Sequence, residues 1–243
     1  MVMTDPAPRP PFGAVLFDFS RTLFTVEDSL TWVQKGAAAA GVTIPPGEQE
    51  PLIERLITAG RPGGPAPLAI PAAVAEVYER RDLFPTDHRL AYETIISSAG
   101  LPHPALARAL YERLFASDGW VPYADALPVL RALRRRGIRT GVVSNIGWDL
   151  RPLFTAHGMA DLVDAFVFSF EVGMVKPDPE IFVLACDKLG AEPARTLMVG
   201  DESTDAGAVD AGLHTLLIPP SPPGSVHGLA AVLGLLDAPT LQE

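Results

Sequence analysis

Between residues 124 and 219 the chain alternates helical and strand patterns, and this rhythm restricts the fold more than any other feature. A helical segment at 124–136 is followed by the apolar run RTGVVSN at 139–145. The cycle then repeats as a helix near 149–157, a strand at 164–169, a helix at 179–189, a strand at 196–201, a short helix at 205–211 and a strand at 214–219. Strands separated by helices pair in parallel, so the pattern predicts an α/β sheet covered on both faces. Residues 226–237 are expected to add a last helix.

One further strand lies far upstream. AVLFDF at 14–19 is a compact apolar run with an aspartate near its C-terminal end, the signature of a buried parallel strand delivering a carboxylate to a crevice. Between it and the alternating half, nothing from 26 to 118 alternates as a strand. Residues 28–41 open on an acid and stop on a glycine, as a helix does. A broken, proline-rich stretch follows, then helices from about Ile70, at 87–98 and at 104–116. The predicted organisation is a discontinuous α/β core, 12–25 plus 119–243, with an all-helical insertion at 26–118. PPSPPG at 219–224 reads as a turn or linker, and no internal repeat is visible.

Composition narrows the functional classes. Nineteen basic against 29 acidic residues give a net charge of −10, which disfavours binding to nucleic acid or to an anionic membrane. Small anionic substrates remain compatible, because local charges can oppose the global sign. Cys186 is the sole cysteine, so neither an intrachain disulfide nor a cysteine metal cluster is available, and a cytoplasmic location is the simpler expectation. The first dozen residues read as a loose arm, without the apolar run of a signal peptide. With 25 Pro and 21 Gly spread among 48% hydrophobic residues, the chain is expected to be loop-rich but globular, a monomer or homodimer.

Asp18, Ser144 with Asn145, and Asp201 all fall at the C-terminal ends of predicted strands, where a parallel sheet collects them along one crevice. Two carboxylates brought together repel and raise each other's pKa, and a divalent cation relieves this. Mg2+ suits an all-oxygen site and a phosphorylated substrate. Lys176, one of three lysines, adds a positive charge after the third strand of the core, with Pro177 stiffening the chain behind it.

These fragments together resemble the haloacid dehalogenase-like hydrolase superfamily, in its branch with a Rossmann-like core and a helical cap inserted after the first motif. The first motif is matched by Asp18-Phe19-Ser20-Arg21-Thr22, the second by Ser144 in VVSN, the third by Lys176 in KPDPEIF, and the fourth by Gly200-Asp201-Glu202-Ser203-Thr204-Asp205. The resemblance implies Asp18 as a nucleophile forming an aspartyl-phosphate. It implies metal ligation by Asp18, Asp201 and the carbonyl of Ser20, and phosphoryl binding by Thr22, Ser144 and Lys176. Asp205 is similar to the acidic residue that supports the lysine or metal-bound water. Asn145 is placed at the substrate or in the turn of the second motif, and Arg21 at the entrance or in solvent. The implied ligand is a small phosphorylated molecule.

Ser20 departs from the family pattern. Most family phosphatases carry a second aspartate there, which protonates the leaving alcohol and then activates water. A serine hydroxyl cannot exchange protons in that way near neutral pH, and losing a general acid or base costs about 10²- to 10⁴-fold. Arg21 departs too, since glycine is usual in that turn. Three readings stay open: a phosphatase of reduced activity, a weakly active or non-catalytic phosphate-binding regulator, and a 2-haloacid dehalogenase. The last would need a cap arginine, for which Arg55 and Arg61 are candidates in poor register. A cap lysine for Schiff-base chemistry is limited to Lys35. Trp32, Tyr78, Arg80, Arg81, His88 and Tyr92 are cap candidates for the crevice lining, with Trp148 and Asp149 from the core.

Overall fold

A computed structural model describes residues 11–237, so most of the predicted N-terminal arm lies outside the described residues. The core sheet contains β1 (Ala14–Phe17), and the antiparallel ribbon that follows it begins with β2 (Phe24–Val26). Five cap helices come next: α1 (Ser29–Ala40), α2 (Pro46–Ala59), α3 (Ala75–Glu79), α4 (Pro85–Ser98) and α5 (Ala105–Glu112). The ribbon closes with β3 (Trp120–Pro122), and α6 (Ala126–Arg135) leads back into the sheet through β4 (Arg139–Ser144). The remaining elements are α7 (Arg151–Ala156), β5 (Ala165–Phe168), α8 (Ser169–Val172), α9 (Pro179–Leu189), β6 (Thr196–Gly200), α10 (Ser203–Ala206), β7 (His214–Leu217) and α11 (Ala230–Asp237).

The sheet runs β5-β4-β1-β6-β7 and every neighbouring pair is parallel. β1 is central, and its alternate side chains serve different cores. Val15 and Phe17 join the large apolar cluster shared with the cap, whereas Ala14 and Leu16 pack with Ile181, Phe182 and Met198 beneath α9. Burial on both faces explains why these strands read as continuous apolar runs. The 139–145, 164–169, 196–201 and 214–219 predictions match β4, β5, β6 and β7 to within a residue or two at either end.

Two features escape the sequence pattern. The ribbon of β2 and β3 pairs Thr25 with Val121 and joins core to cap, but three-residue strands are too short to show a period. The stretch read as broken contains α2. Pro46 stands at its first turn, where a missing N–H costs nothing, and Leu52 and Leu56 bury one face at i, i+4. Of the prolines in this stretch, Pro45 and Pro46 start the helix and Pro51 sits within it. The helix expected from Ile70 is shorter: a 3₁₀ turn at Ala72–Val74 runs into α3, and a separate helix, α4, begins at Pro85. For 28–41 the expected boundary signals hold, since Asp28 accepts a hydrogen bond from Thr31 N at 2.9 Å and Gly41 ends α1 in the left-handed conformation.

Cap and core meet closely. A Cβ on Gly147 would stand 2.9 Å from both Arg81 O and His88 Cβ, so only glycine admits the cap at this seam. Among the described residues no helix is long and apolar enough to cross a membrane.

Candidate active site

A cavity of about 280 Å³ lies between the C-terminal ends of the core strands and the cap. Its core wall includes Asp18, Ser20, Arg21, Ser144, Asn145, Lys176 and Asp201. Asp18 follows β1 directly, and its amide donates to Val199 O at 2.8 Å, continuing the sheet ladder one residue past the strand. The next turn is tight: Leu23 N and Phe24 N both donate to Phe19 O, and Arg21 N to Phe24 O at 2.6 Å.

The centre is an ion triad. Lys176 Nζ donates to Asp18 Oδ1 and to Asp205 Oδ1, each at 2.6 Å, and all three groups are buried. Asn145 holds the lysine from behind: its Nδ2 donates to Lys176 O at 2.9 Å and its Oδ1 accepts from Lys176 N at 2.7 Å. The Asn145 amide thus ties the loop after β4 to the backbone of Lys176, a contact that neither expected role described, and Asn145 also lines the cavity. Asp205 Oδ2 accepts from the Asp201 and Glu202 amides at 3.1 and 3.3 Å, so this carboxylate caps α10 while it orients the lysine. Gly200 makes room for it, since a Cβ there would come within 2.2 Å of the Asp205 carboxyl.

Electrostatics set the protonation states. Burial pushes the Asp18 carboxyl up to about 7, opposed by Lys176 and reinforced by Asp205 and Asp201. Burial also raises Asp201 to about 6, opposed by Arg21 and reinforced by Glu202 and Asp205. For Lys176 burial works against the charge, but the Asp18 and Asp205 carboxylates outweigh it and keep the ammonium protonated.

Carboxylate oxygens of Asp18, Asp201 and Asp205 gather within 4.8 Å of one another. Asp201 Oδ2 is buried without a hydrogen-bond partner. Crowded, desolvated carboxylates and an orphaned buried oxygen form a hard, all-oxygen donor set that fits a divalent cation. Arg21 qualifies the fit. Its Nη2 stands 2.7 Å from that same Asp201 Oδ2, an ion pair without hydrogen-bond alignment, and 3.1 Å from Glu202 Oε2. Arg21 is the one non-glycine residue at positive φ among the described residues, at 60°. Its side chain, 28% exposed, lines the cavity and places a guanidinium beside a candidate metal ligand.

Other expected residues sort clearly. Ser144 lines the cavity, whereas Thr22 is fully buried, is absent from the lining, and has an unpartnered Oγ1. Of the cap candidates, Tyr78, Arg81, His88 and Tyr92 line the cavity, as does Trp148. Trp32 is instead cap core, donating from Nε1 to Leu110 O, and Arg80 pairs with Asp87 on the surface. Asp149 accepts from Arg151 N at 2.9 Å, a local turn contact. Arg55 and Arg61 bond to cap carbonyls and to Glu27 O, and Lys35 pairs with Asp118, so none of these three lines the cavity. Asp82, beside Arg81, lines it and was not singled out in the sequence; its position in the charged run ERRD hides it among solvent-facing residues.

A parallel sheet with acids and a lysine at its strand ends, roofed by an inserted helical cap, defines a capped hydrolase architecture. Comparison with known proteins gives the family. The model for the haloacid dehalogenase-like hydrolases matches residues 12–211, and the chain belongs to that family. It is similar to mouse haloacid dehalogenase-like hydrolase domain-containing protein 3, at 33% identity over 120 residues covering 49% of this chain and 48% of that protein. It is also similar to (S)-2-haloacid dehalogenase 1 from a Pseudomonas species, at 32% identity over 98 residues, 40% of this chain and 43% of that one. The chain thus spans about half the length of the curated relatives it matches. A crystal structure of a phosphatase of this family from Thermococcus onnurineus shares the fold with a TM-score of 0.54, at 23% identity over 92% of this chain and 98% of that chain.

Proposed function

We propose that the chain is a magnesium-dependent phosphate-ester hydrolase that works through an aspartyl-phosphate on Asp18 and acts on a small phosphorylated metabolite. The observation that carries this reading is the Lys176 ammonium held between Asp18 and Asp205 at the floor of the cavity between core and cap. In the reaction an Asp18 oxygen attacks phosphorus in line as the ester P–O bond breaks and the alcohol leaves, water then displaces Asp18 to give phosphate, and Lys176 offsets charge between nucleophile and phosphoryl oxygens. The Ser144 hydroxyl donates to one of those oxygens. Asn145 and Asp205 keep Lys176 in place. Asp18, Asp201 and the Ser20 carbonyl would hold the cation, which supplies positive charge at the phosphoryl group. The cap limits water access and restricts the substrate to what about 280 Å³ admits. A cytoplasmic monomer or homodimer is the setting we assign.

The test is a panel of phosphate esters with and without magnesium, on wild type and Asp18→Asn. Turnover that needs the metal and falls by about 10⁴-fold or more in the variant is expected, as for loss of a nucleophile. A protein that never turns over and never forms a beryllofluoride adduct overturns it. A second reading, a phosphate-binding regulator without catalysis, is favoured by the Arg21–Asp201 pair at 2.7 Å. Steady, Asp18-dependent turnover removes it.

A further inference from the structure

Ser20 leaves the site without a carboxyl group two residues past Asp18, yet the cavity holds another carboxyl group, contributed by the cap. Asp82 lies in the turn between α3 and α4 and lines the same space as Asp18, Ser20 and Lys176. It is fixed from several sides. Its carbonyl accepts from Ser169 Oγ at 2.5 Å, and Ser169 Oγ accepts in turn from Ile146 N at 2.8 Å, in the loop that carries Ser144 and Asn145. Arg81 Nη2 stands 3.2 Å from Asp82 Oδ2, and the Arg81 carbonyl packs against Gly147. The cap turn bearing Asp82 is therefore tied to the core loop at the active site. No backbone amide among the described residues donates to the Asp82 carboxylate, so it does not serve as a helix cap.

We propose that Asp82 is the general acid and base of this hydrolase, doing from the cap what an aspartate at residue 20 would do from the core. The inference rests on the phosphate-ester reading above. In the first step an Asp18 oxygen bonds to phosphorus while the ester P–O bond breaks, and the leaving oxygen takes the Asp82 proton. In the second, Asp82 removes a proton from a water whose oxygen bonds to phosphorus, and the P–O bond to Asp18 breaks with its electrons returning to the carboxylate. Ester and water give alcohol and phosphate, and Asp82 regains the proton it gave up.

The surrounding groups favour this role. Burial pushes Asp82 up to about 6, against the lowering effects of Arg81 and Lys176, and Glu202 adds to the rise. Both protonation states are then accessible near neutral pH. The competing groups are committed elsewhere. His88 is held neutral by burial and Arg81, down to about 3, with Nδ1 at 2.9 Å from Tyr111 Oη. Burial keeps Tyr92 protonated, Tyr78 lies under the Arg81 guanidinium, and Glu202 pairs with Arg21 and caps α10.

Two probes of different leaving-group acidity test the proposal: 4-nitrophenyl phosphate, whose phenol leaves unprotonated, and phenyl phosphate, whose phenol needs a proton. With magnesium and the full chain, Asp82→Asn is expected to slow single-turnover cleavage of phenyl phosphate by about 10²- to 10⁴-fold. Cleavage of 4-nitrophenyl phosphate should fall less than about tenfold and show a stoichiometric nitrophenolate burst, as phosphorylated Asp18 accumulates and is detected by mass. Ser20→Asp in the Asp82→Asn background should restore turnover. Equal losses on both esters without a burst, or no loss, overturn the proposal. If Asp82→Asn does not fold, wild type decides. Its kcat/KM for phenyl phosphate must fall as pH rises above about 6, with no matching limb for 4-nitrophenyl phosphate, and coincident profiles overturn it. Wild type that cleaves neither ester and forms no adduct overturns the hydrolase reading as well, whereas Asp18-dependent turnover indifferent to Asp82 overturns this inference alone.

Discussion

The floor and the roof of the cavity are built by different physical rules. On the floor, Asp18, Ser144 and Asp201 stand at or just past the ends of parallel strands, and the hydrogen-bond ladder of the sheet fixes their spacing. On the roof, Tyr78, Arg81, Asp82, His88 and Tyr92 come from two helices and a turn, and their placement depends on how these pack over Gly147 and Trp148. The groups that cluster around Lys176 sit at the ends of sheet strands and in the loops that follow them. The groups on the roof depend on the cap–core seam at Gly147 and Ser169 for their position.

The comparison predicts unequal sensitivity. Lys176→Met strikes the floor hardest, because it removes a buried charge from between two carboxylates. Turnover is expected to vanish, and stability to fall by about 3–5 kcal/mol, read from urea unfolding. If the variant kept native stability, the triad would not be the organising contact of the floor.

On the roof, His88 is buried and neutral, its pKa depressed from 6.5 to about 3. The unfolded chain binds a proton there that the folded chain refuses. Its contribution is therefore fully present above pH 6.5 and lost as pH falls through the window down to about 3, by at most about 1.4 kcal/mol per pH unit. His88→Gln should flatten this acid loss in urea melts between pH 7 and 4 while leaving Asp18 phosphorylation detectable. An unchanged slope would show that the roof does not exclude water as its burial implies.

Arg21→Gly sharpens the contrast at the floor's edge. It removes both a guanidinium at 2.7 Å from Asp201 and a side chain at φ 60°. Magnesium binding measured by calorimetry should tighten by about tenfold, equivalent to about 1.4 kcal/mol. Unchanged affinity would mean that Arg21 yields to the ion without cost. The smallest effect is expected at Arg80, which faces solvent and pairs with Asp87 at 3.1 Å. Arg80→Ala should change stability by less than about 1 kcal/mol and kcat by nothing measurable, which separates the outside of the cap from its lining.

The core was far more legible in the sequence than the cap, and the reason is local periodicity. A strand buried on both faces shows itself as a short apolar run, and a carboxylate one residue past such a run emerges at the C-terminal end of the sheet. Asp18 and Asp201 were readable for that reason, although the pairing of Arg21 with Asp201 was not. In the cap, α2 hid behind prolines that open or sit within it, and the β2–β3 ribbon was too short to carry a pattern. Trp32 and Arg80 were as plausible as Tyr78 and Arg81 by residue type, because a helix shows which face is apolar but not which neighbour covers it.

Residue order alone thus determined the α/β core, the position of the helical insertion, the absence of an acid at residue 20 and the set of strand-end groups, because each follows from short-range pattern and covalent order. Only the tertiary structure decided that Lys176 bridges Asp18 and Asp205, that Arg21 turns onto Asp201, and that Asp82 shares the cavity with Asp18. Those contacts join residues far apart in the chain, and their geometry is set by how the cap closes on the sheet.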